Sequence, residues 1–248
     1  MTTLPFKAVA VDVDGTFVND EKQYDHQMFS EILTRLHQHG AHFIIASGRP
    51  AGRLADDFSE FIDYIDFVAD NGAVLVRDGK IIRTTSFSKK CILNFIEYLH
   101  ARYPGAAQNI LISGVKHSYF LKSTPPEYKR SHHYFYPNSI EIDDFNKIPA
   151  DDQYTKITMD YPSKIRHELE HGFNSRSTEK IHVTTSGWSY MDIIPEGVNN
   201  LEMLKFAGLS YAMANGQDIV KKTAKFIAPT NNDNGVFKVL NKYLDEAE

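Results

Sequence analysis

The sequence of 248 residues contains one cysteine, Cys91, so no disulfide can form within the chain and no cluster of thiolates can hold a metal. It has no surplus of basic charge. Lys and Arg number 27 against 32 Asp and Glu, a formal net charge of −5, which argues against a general nucleic-acid surface and so against a nucleic-acid partner. No apolar run approaches the roughly 20 residues that a membrane-spanning helix needs, so no membrane partner is expected. The first ten residues lack the basic start and long apolar centre of a secretion signal. Internal repeats and low-complexity tracts are also missing. These absences leave an ordinary globular chain, with the cytoplasm as its expected location. Cys91 lies beside Ile92, Phe95 and Ile96 and reads as a buried structural thiol on a helix face.

Of the features present, Val11-Asp12-Val13-Asp14-Gly15-Thr16 is the most specific. It follows the apolar run that begins at Lys7. A strand ending in D-x-D-G-T carries two carboxylates to its tip, and the glycine lets the backbone turn sharply. One carboxylate can attack phosphorus, the other can move a proton, and both can help hold a hard cation. An Asp-rich turn with no chemistry is the plain alternative.

Strand-like runs at Lys7–Val13, His42–Ser47 and Phe67–Ala69 alternate with two helical patterns. Asp25 is placed to cap the first helix, whose apolar residues are Met28, Phe29, Ile32, Leu33 and Leu36, and Gly40 ends it. Pro50 opens the second, with Leu54, Phe58 and Phe61 at helical spacing. This rhythm predicts a parallel sheet covered on both faces. Asn71-Gly72 and Asp78-Gly79 bracket a hairpin strand. From about Thr85 strands pair locally and helices lie to one side, which predicts an α+β module. Alternation returns near the C-terminus, with Asp218 expected to cap a short helix whose solvated face carries Lys221, Lys222 and Lys225. The domain expectation is a core of residues 1–84 and 186–248, with the module at 85–185.

His167-Glu168-Leu169-Glu170-His171 fits the H-E-x-x-H pattern of zinc proteases. Gly172 ends the helix at once and no third ligand follows at a suitable spacing, so an exposed helix end is the expectation. His132-His133, amid Tyr128, Tyr134, Phe135 and Tyr136, reads as a helix with one buried face. Trp188 reads as a strand residue packed against the module.

Five segments together resemble the haloacid dehalogenase superfamily, in its Cof-like sugar-phosphatase branch. They are Asp12–Thr16, Ala46-Ser47-Gly48-Arg49-Pro50, Asp70-Asn71-Gly72-Ala73, Met191–Val198, and Leu201–Leu204 running on to Tyr211–Gly216. The resemblance implies an α/β fold: a Rossmann-like parallel-sheet core with an inserted α+β cap domain that selects the leaving group. It implies a phosphatase acting on small phosphorylated metabolites such as sugar phosphates. Asp12 would be the nucleophile and Asp14 the acid and base. Mg²⁺ would sit on the Asp12 carboxylate and the Asp14 backbone carbonyl. Ser47 and Gly48 would bind phosphate, Arg49 would pack locally, and Asn71 and Gly72 would serve either as site or as turn residues.

The chain departs from the family after Val198. There the family has a lysine, a crossover helix, and a strand ending in G-D-x-x-N-D, whereas here Asn199-Asn200 runs directly into Leu201-Glu202. Asn199 would stand for the substrate-contacting Asn or for the residue before the lysine, and Asn200 falls where the family has its final Asp. The missing strand lies beside the first strand in that family, so both of its neighbours would lose partners. The alternative function is therefore an impaired or inactive member that binds a phosphorylated ligand or a partner.

Overall fold

The computed structural model describes residues 3–186, 190–196 and 200–248. Trp188, Gly197, Val198 and Asn199 lie outside the described residues. The chain divides into two compact units, one of Met1–Ser47, Leu54–Ile81 and Asn199–Glu248, the other of Gly48–Arg53 and Ile82–Val198.

In the first unit β1 (Ala8–Val11) leads through a tight turn to α1 (His26–Gln38). Asp25 caps α1 as expected, accepting the Met28 N–H at 2.9 Å. β2 (His42–Ala46) follows, then α2 (Ala51–Asp57), counted with this unit from Leu54, β3 (Ile65–Ala69), β4 (Val74–Arg77) and β5 (Lys80–Thr84), counted with it as far as Ile81. They form one sheet in the order β1-β2-β3-β4-β5. β1, β2 and β3 run parallel, and β4 returns antiparallel to β3. The α/β reading therefore holds, with an antiparallel hairpin completing the sheet.

The second unit holds α3 (Lys89–Arg102), β6 (Ile110–Gly114), β7 (Ser118–Leu121), α4 (Pro126–His133), β8 (Ser139–Ile142), β9 (Tyr154–Asp160), α5 (Arg166–Asn174), β10 (Ile181–Ser186) and β11 (Tyr190–Pro195). Its sheet runs β10-β11-β9-β6-β7-β8. On one face Cys91, Phe95 and Leu99 of α3 and Leu169 and Phe173 of α5 pack on Ile112, Ile157 and Ile193. On the other, Tyr128 of α4 packs on Leu111 and Phe120. His132 is buried there as well. Its Nδ1 lies 3.0 Å from the Tyr128 carbonyl, and burial pushes its pKa below the usual value. The sequence reading missed β8, because Ser-Ile-Glu-Ile on a largely exposed edge has no strong apolar run.

Burial pushes the Cys91 thiol up to about 12. A thiol that stays protonated and enclosed is a poor nucleophile. Ellman's reagent is expected to leave Cys91 untouched in native protein and to label one thiol per chain after denaturation. Fast labelling of the native protein would contradict this packing.

The last segment of the first unit holds α6 (Asn200–Phe206), β12 (Tyr211–Met213), α7 (Asp218–Thr223), β13 (Phe226–Ala228) and α8 (Gly235–Ala247). α8 packs on α1, with Arg35 bridging to Asp245 at 2.7 Å and Glu248 at 2.8 Å. The α7 cap differs from the expectation. Gln217 holds the cap position, and Asp218, the first helical residue, faces Lys221 at 3.4 Å instead. Lys225 likewise reaches back, donating to the Ala207 and Gly208 carbonyls at 3.2 and 2.7 Å at the end of α6.

β12 and β13 form a separate two-stranded parallel sheet. Among the described residues β1 pairs with β2 alone. Ala8 and Ala10 on β1 are exposed, as are Phe226 (44%) and Ile227 (53%) on β13. This is the outcome expected where one strand is missing from the middle of a sheet: its neighbours keep their own conformations and their open edges. No helix among the described residues is long and apolar enough to cross a membrane.

Candidate active site

The register of the sheet assembles the site. Val11 pairs with Ile45 on β2, and Ala46 pairs with Val68 on β3. Asp12, Ser47 and Asp70 therefore leave neighbouring parallel strands at the same carboxyl edge, where open α/β sheets bind ligands.

The turn after β1 fixes both carboxylates. Asp12 is still extended, and Gly15 adopts φ +73, which an L side chain resists. The Phe17 and Val18 N–H groups bond the Asp12 and Val13 carbonyls at 3.2 and 3.1 Å. Val11, Val13 and Phe17 are buried, while Asp12 is half-buried and Asp14 exposed on the positions between them. Thr16 Oγ1 donates to Asp12 Oδ2 at 3.3 Å. From the C-terminal part, Asn215 Nδ2 donates to the Gly15 carbonyl at 2.9 Å, while Asn215 Oδ1 accepts the Asn231 N–H at 3.2 Å. Asn231 Nδ2 donates to the Val18 carbonyl at 3.1 Å. Asn215, noted only as part of a motif, thus buttresses the turn.

Ser47 is 2% exposed. Its N–H bonds the Val68 carbonyl at 2.9 Å, and its own carbonyl accepts the Asn71 N–H at 3.1 Å. Asp70, Asn71 and Gly72 all have positive φ, so this stretch is a hairpin turn that is also tied to Ser47. Gly48–Arg53 groups with the second unit. There the Gly48 carbonyl accepts from Lys156 Nζ, and the Arg49 guanidinium lies 5.7 Å from the Phe135 ring centre. Arg49 thus packs locally, as the sequence suggested. Lys156 and Asp192 are both 2% exposed, 3.8 Å apart, and Thr158 Oγ1 donates to Asp192 at 2.8 Å. A buried ion pair with further hydrogen bonds is the form in which such charges are tolerated. Sequence reasoning missed this pair, because Lys-Ile-Thr-Met gives no sign that its lysine points inward.

Missed as well was Lys22, whose Nζ lies 2.8 Å from Asp14 Oδ1. The Asn19–Gln23 turn was the available signal. Asn199 lies outside the described residues, so Asp12, Asp14 and Ser47 are the residues expected at the site that the first unit brings to one edge.

The fit to Mg²⁺ rests on donor chemistry. The Asp12 carboxylate and the Asp14 carbonyl are hard oxygen donors, which suit an ion that keeps most of its water and takes a substrate phosphate. No cluster of three His, Cys, Asp or Glu gathers among the described residues, so a full protein cage of such side chains is not formed there. On the helix that carries the H-E-x-x-H segment, Glu170, outside the motif's own three residues, accepts the Val183 N–H at 2.7 Å and faces His182 at 3.3 Å.

Paired carboxylates at the carboxyl edge of a parallel sheet, with a serine at the next strand tip, are groups with which phosphoryl transfer can be carried out. The family model described as haloacid dehalogenase-like hydrolase matches residues 9–200 and 199–240, and the chain belongs to that family. It is similar to the 5-amino-6-(5-phospho-D-ribitylamino)uracil phosphatase YbjI of Escherichia coli strain K12, at 26% identity over 97% of each chain. The phosphatase of the same name in Bacillus subtilis strain 168, YcsE, is also 26% identical over 96% of each chain. Among solved structures, SMU.1108c from Streptococcus mutans UA159 superimposes with a TM-score of 0.88 at 27% identity, covering 96% of this chain and 99% of that one. The YbjI alignment runs over 268 residues against a chain of 248, so the relative has stretches with no counterpart here. The two family-model segments meet at residues 199–200, where the sequence departs from the family pattern.

Proposed function

We propose that the chain is a Mg²⁺-dependent phosphatase of small phosphorylated metabolites, with a sugar-like or sugar-alcohol phosphate as the substrate class. The observation that carries this reading is the pair Asp12 and Asp14 on the β1 turn, one strand away from Ser47, in a chain of this hydrolase family. The substrate class draws on the relatives, two of which are named as phosphatases of a phosphoribitylamino compound.

Asp12 attacks phosphorus, and its carboxylate oxygen gains the phosphoryl group as the ester oxygen leaves. Asp14 gives that oxygen its proton. It then takes a proton from water as the water oxygen attacks phosphorus and frees Asp12. Ser47 donates its hydroxyl to a phosphate oxygen, and the Gly48 N–H supports it. Asn199 serves as a further phosphate contact, and the second unit as the cap that selects the alcohol. The Asp12 carboxylate and the Asp14 carbonyl would hold Mg²⁺, which would supply positive charge that offsets the repulsion between a carboxylate and a phosphate.

The competing reading is a binder of phosphorylated ligands with little or no turnover. It is favoured by the departure at Asn199-Asn200 and by the pairing of β1 with β2 alone among the described residues. Hydrolysis of p-nitrophenyl phosphate separates the two. The proposal expects phosphate release with Mg²⁺ that stops on chelation by EDTA and resumes when Mg²⁺ is restored. An inert protein whose melting temperature still rises with orthovanadate would favour the binder.

A further inference from the structure

The turn between β1 and α1 carries a cation for which the catalytic scheme above has no role. Residues 19–23 close on themselves: the Asn19 N–H donates to the Gln23 carbonyl at 2.9 Å and the Lys22 N–H to the Asn19 carbonyl at 3.0 Å. The Gln23 N–H bonds Asn19 Oδ1 at 2.8 Å. The same turn is anchored by Asp20, whose side chain accepts from Asn231 and Asn232 at 3.1 and 2.9 Å. Those bonds, Asn232 first, hold the Asp20 carboxyl below its ordinary pKa.

Within this frame Lys22 sits at φ +63, a left-handed conformation usually left to Gly or Asn. A lysine there gives up local backbone preference. What it gains is placement, since its ammonium meets Asp14 Oδ1 at 2.8 Å. Both side chains are about half exposed, at 56% and 41%, and ion pairs so exposed add little to stability. Strained backbone and a pair of small energetic value point to function at the site.

We propose that Lys22 is the positioning residue of Asp14, resting on the phosphatase reading above. Its ammonium, donating to Oδ1, holds the proton-transferring carboxyl group of Asp14 in one orientation. Lys22 exchanges no proton. The bonds made and broken stay those of Asp12, Asp14, the ester and water. The sequence that follows Val198 is Asn199-Asn200 with no lysine, so this loop supplies a positive charge to the Asp14 side of the site from a different part of the chain.

The test compares Lys22→Asn, which suits the left-handed turn but lacks the charge, with Lys22→Arg, which keeps it. Phenyl phosphate and p-nitrophenyl phosphate are the probes, because phenoxide needs a proton on leaving far more than p-nitrophenoxide does. For Lys22→Asn, kcat/KM on phenyl phosphate is expected to fall on the order of tenfold or more, with a clearly smaller loss on p-nitrophenyl phosphate. Lys22→Arg is expected to recover most of the loss, and the melting temperature of both variants to stay that of the unsubstituted protein. Equal losses on the two esters, an unchanged Lys22→Asn, or an arginine variant no better than the asparagine one would each overturn the proposal alone. An unsubstituted protein that hydrolyses neither ester removes the phosphatase reading and this proposal together.

Discussion

Asp12→Asn is expected to abolish phosphate release, a loss on the order of a thousandfold or more, while the protein stays folded. A carboxamide matches the carboxylate in shape and can still accept the Thr16 hydroxyl that now donates to Oδ2 at 3.3 Å. It cannot attack phosphorus, and it offers a hard cation a neutral oxygen in place of a charged one. Asp12 is only partly buried, so the substitution opens no cavity in the core. The melting temperature should move by no more than about 2 °C. Steady-state release from p-nitrophenyl phosphate, measured beside thermal unfolding, reads both halves. Retained turnover in this variant would remove Asp12 as nucleophile, whatever else the fold provides.

Phe17→Ala is expected to produce the largest loss of stability, on the order of 3–5 kcal/mol. Phe17 closes the turn that carries Asp12 and Asp14 and is 5% exposed. Its ring lies 4.8 Å from Phe29, 5.0 Å from Tyr24, 5.3 Å from Phe237, 5.7 Å from Phe58 and 6.0 Å from Phe43, measured between centroids. It joins the turn, α1, β2 and α8 in one cluster, so its truncation leaves a void that no single neighbour can fill. A loss of that size lowers the melting temperature by on the order of 10 °C in a chain of this length. Phe17→Leu keeps most of the volume and should lose much less. Because the same residue holds the Asp12–Asp14 turn down, activity in Phe17→Ala should fall even below its melting transition. If Phe17→Ala melted like the unsubstituted protein, the aromatic cluster would not be what fixes the turn.

Much of this was legible in the sequence for physical reasons. A buried strand followed by a helix with a cap and a stop leaves strong periodic marks, and the Asp25 cap and the α1 face Phe29, Ile32, Leu33 and Leu36 were found where expected. The Asp12–Gly15 turn was readable because its chemistry and its glycine are set by local geometry. What escaped depends on tertiary placement. Whether Lys22 or Lys156 points at a carboxylate is decided by a turn conformation in one case and by the inward face of β9 in the other. Strand β8 escaped because edge strands need few apolar residues. Asp218 was misjudged by one position: acidic residues serve both as caps and in the first helical turn. The gap after Val198 was visible as missing motifs, and strand-pairing rules account for what the described residues show, β1 paired with β2 alone and β12–β13 in a sheet of their own.

The most direct measurement is mass mapping of the protein after acid quench during turnover of p-nitrophenyl phosphate with Mg²⁺. The account predicts that the peptide containing Asp12 gains the mass of one PO₃ group, that fragmentation places it on Asp12, and that Asp12→Asn never acquires it. A phosphorylated residue elsewhere, or steady turnover with no covalent adduct at any quench time, would contradict it.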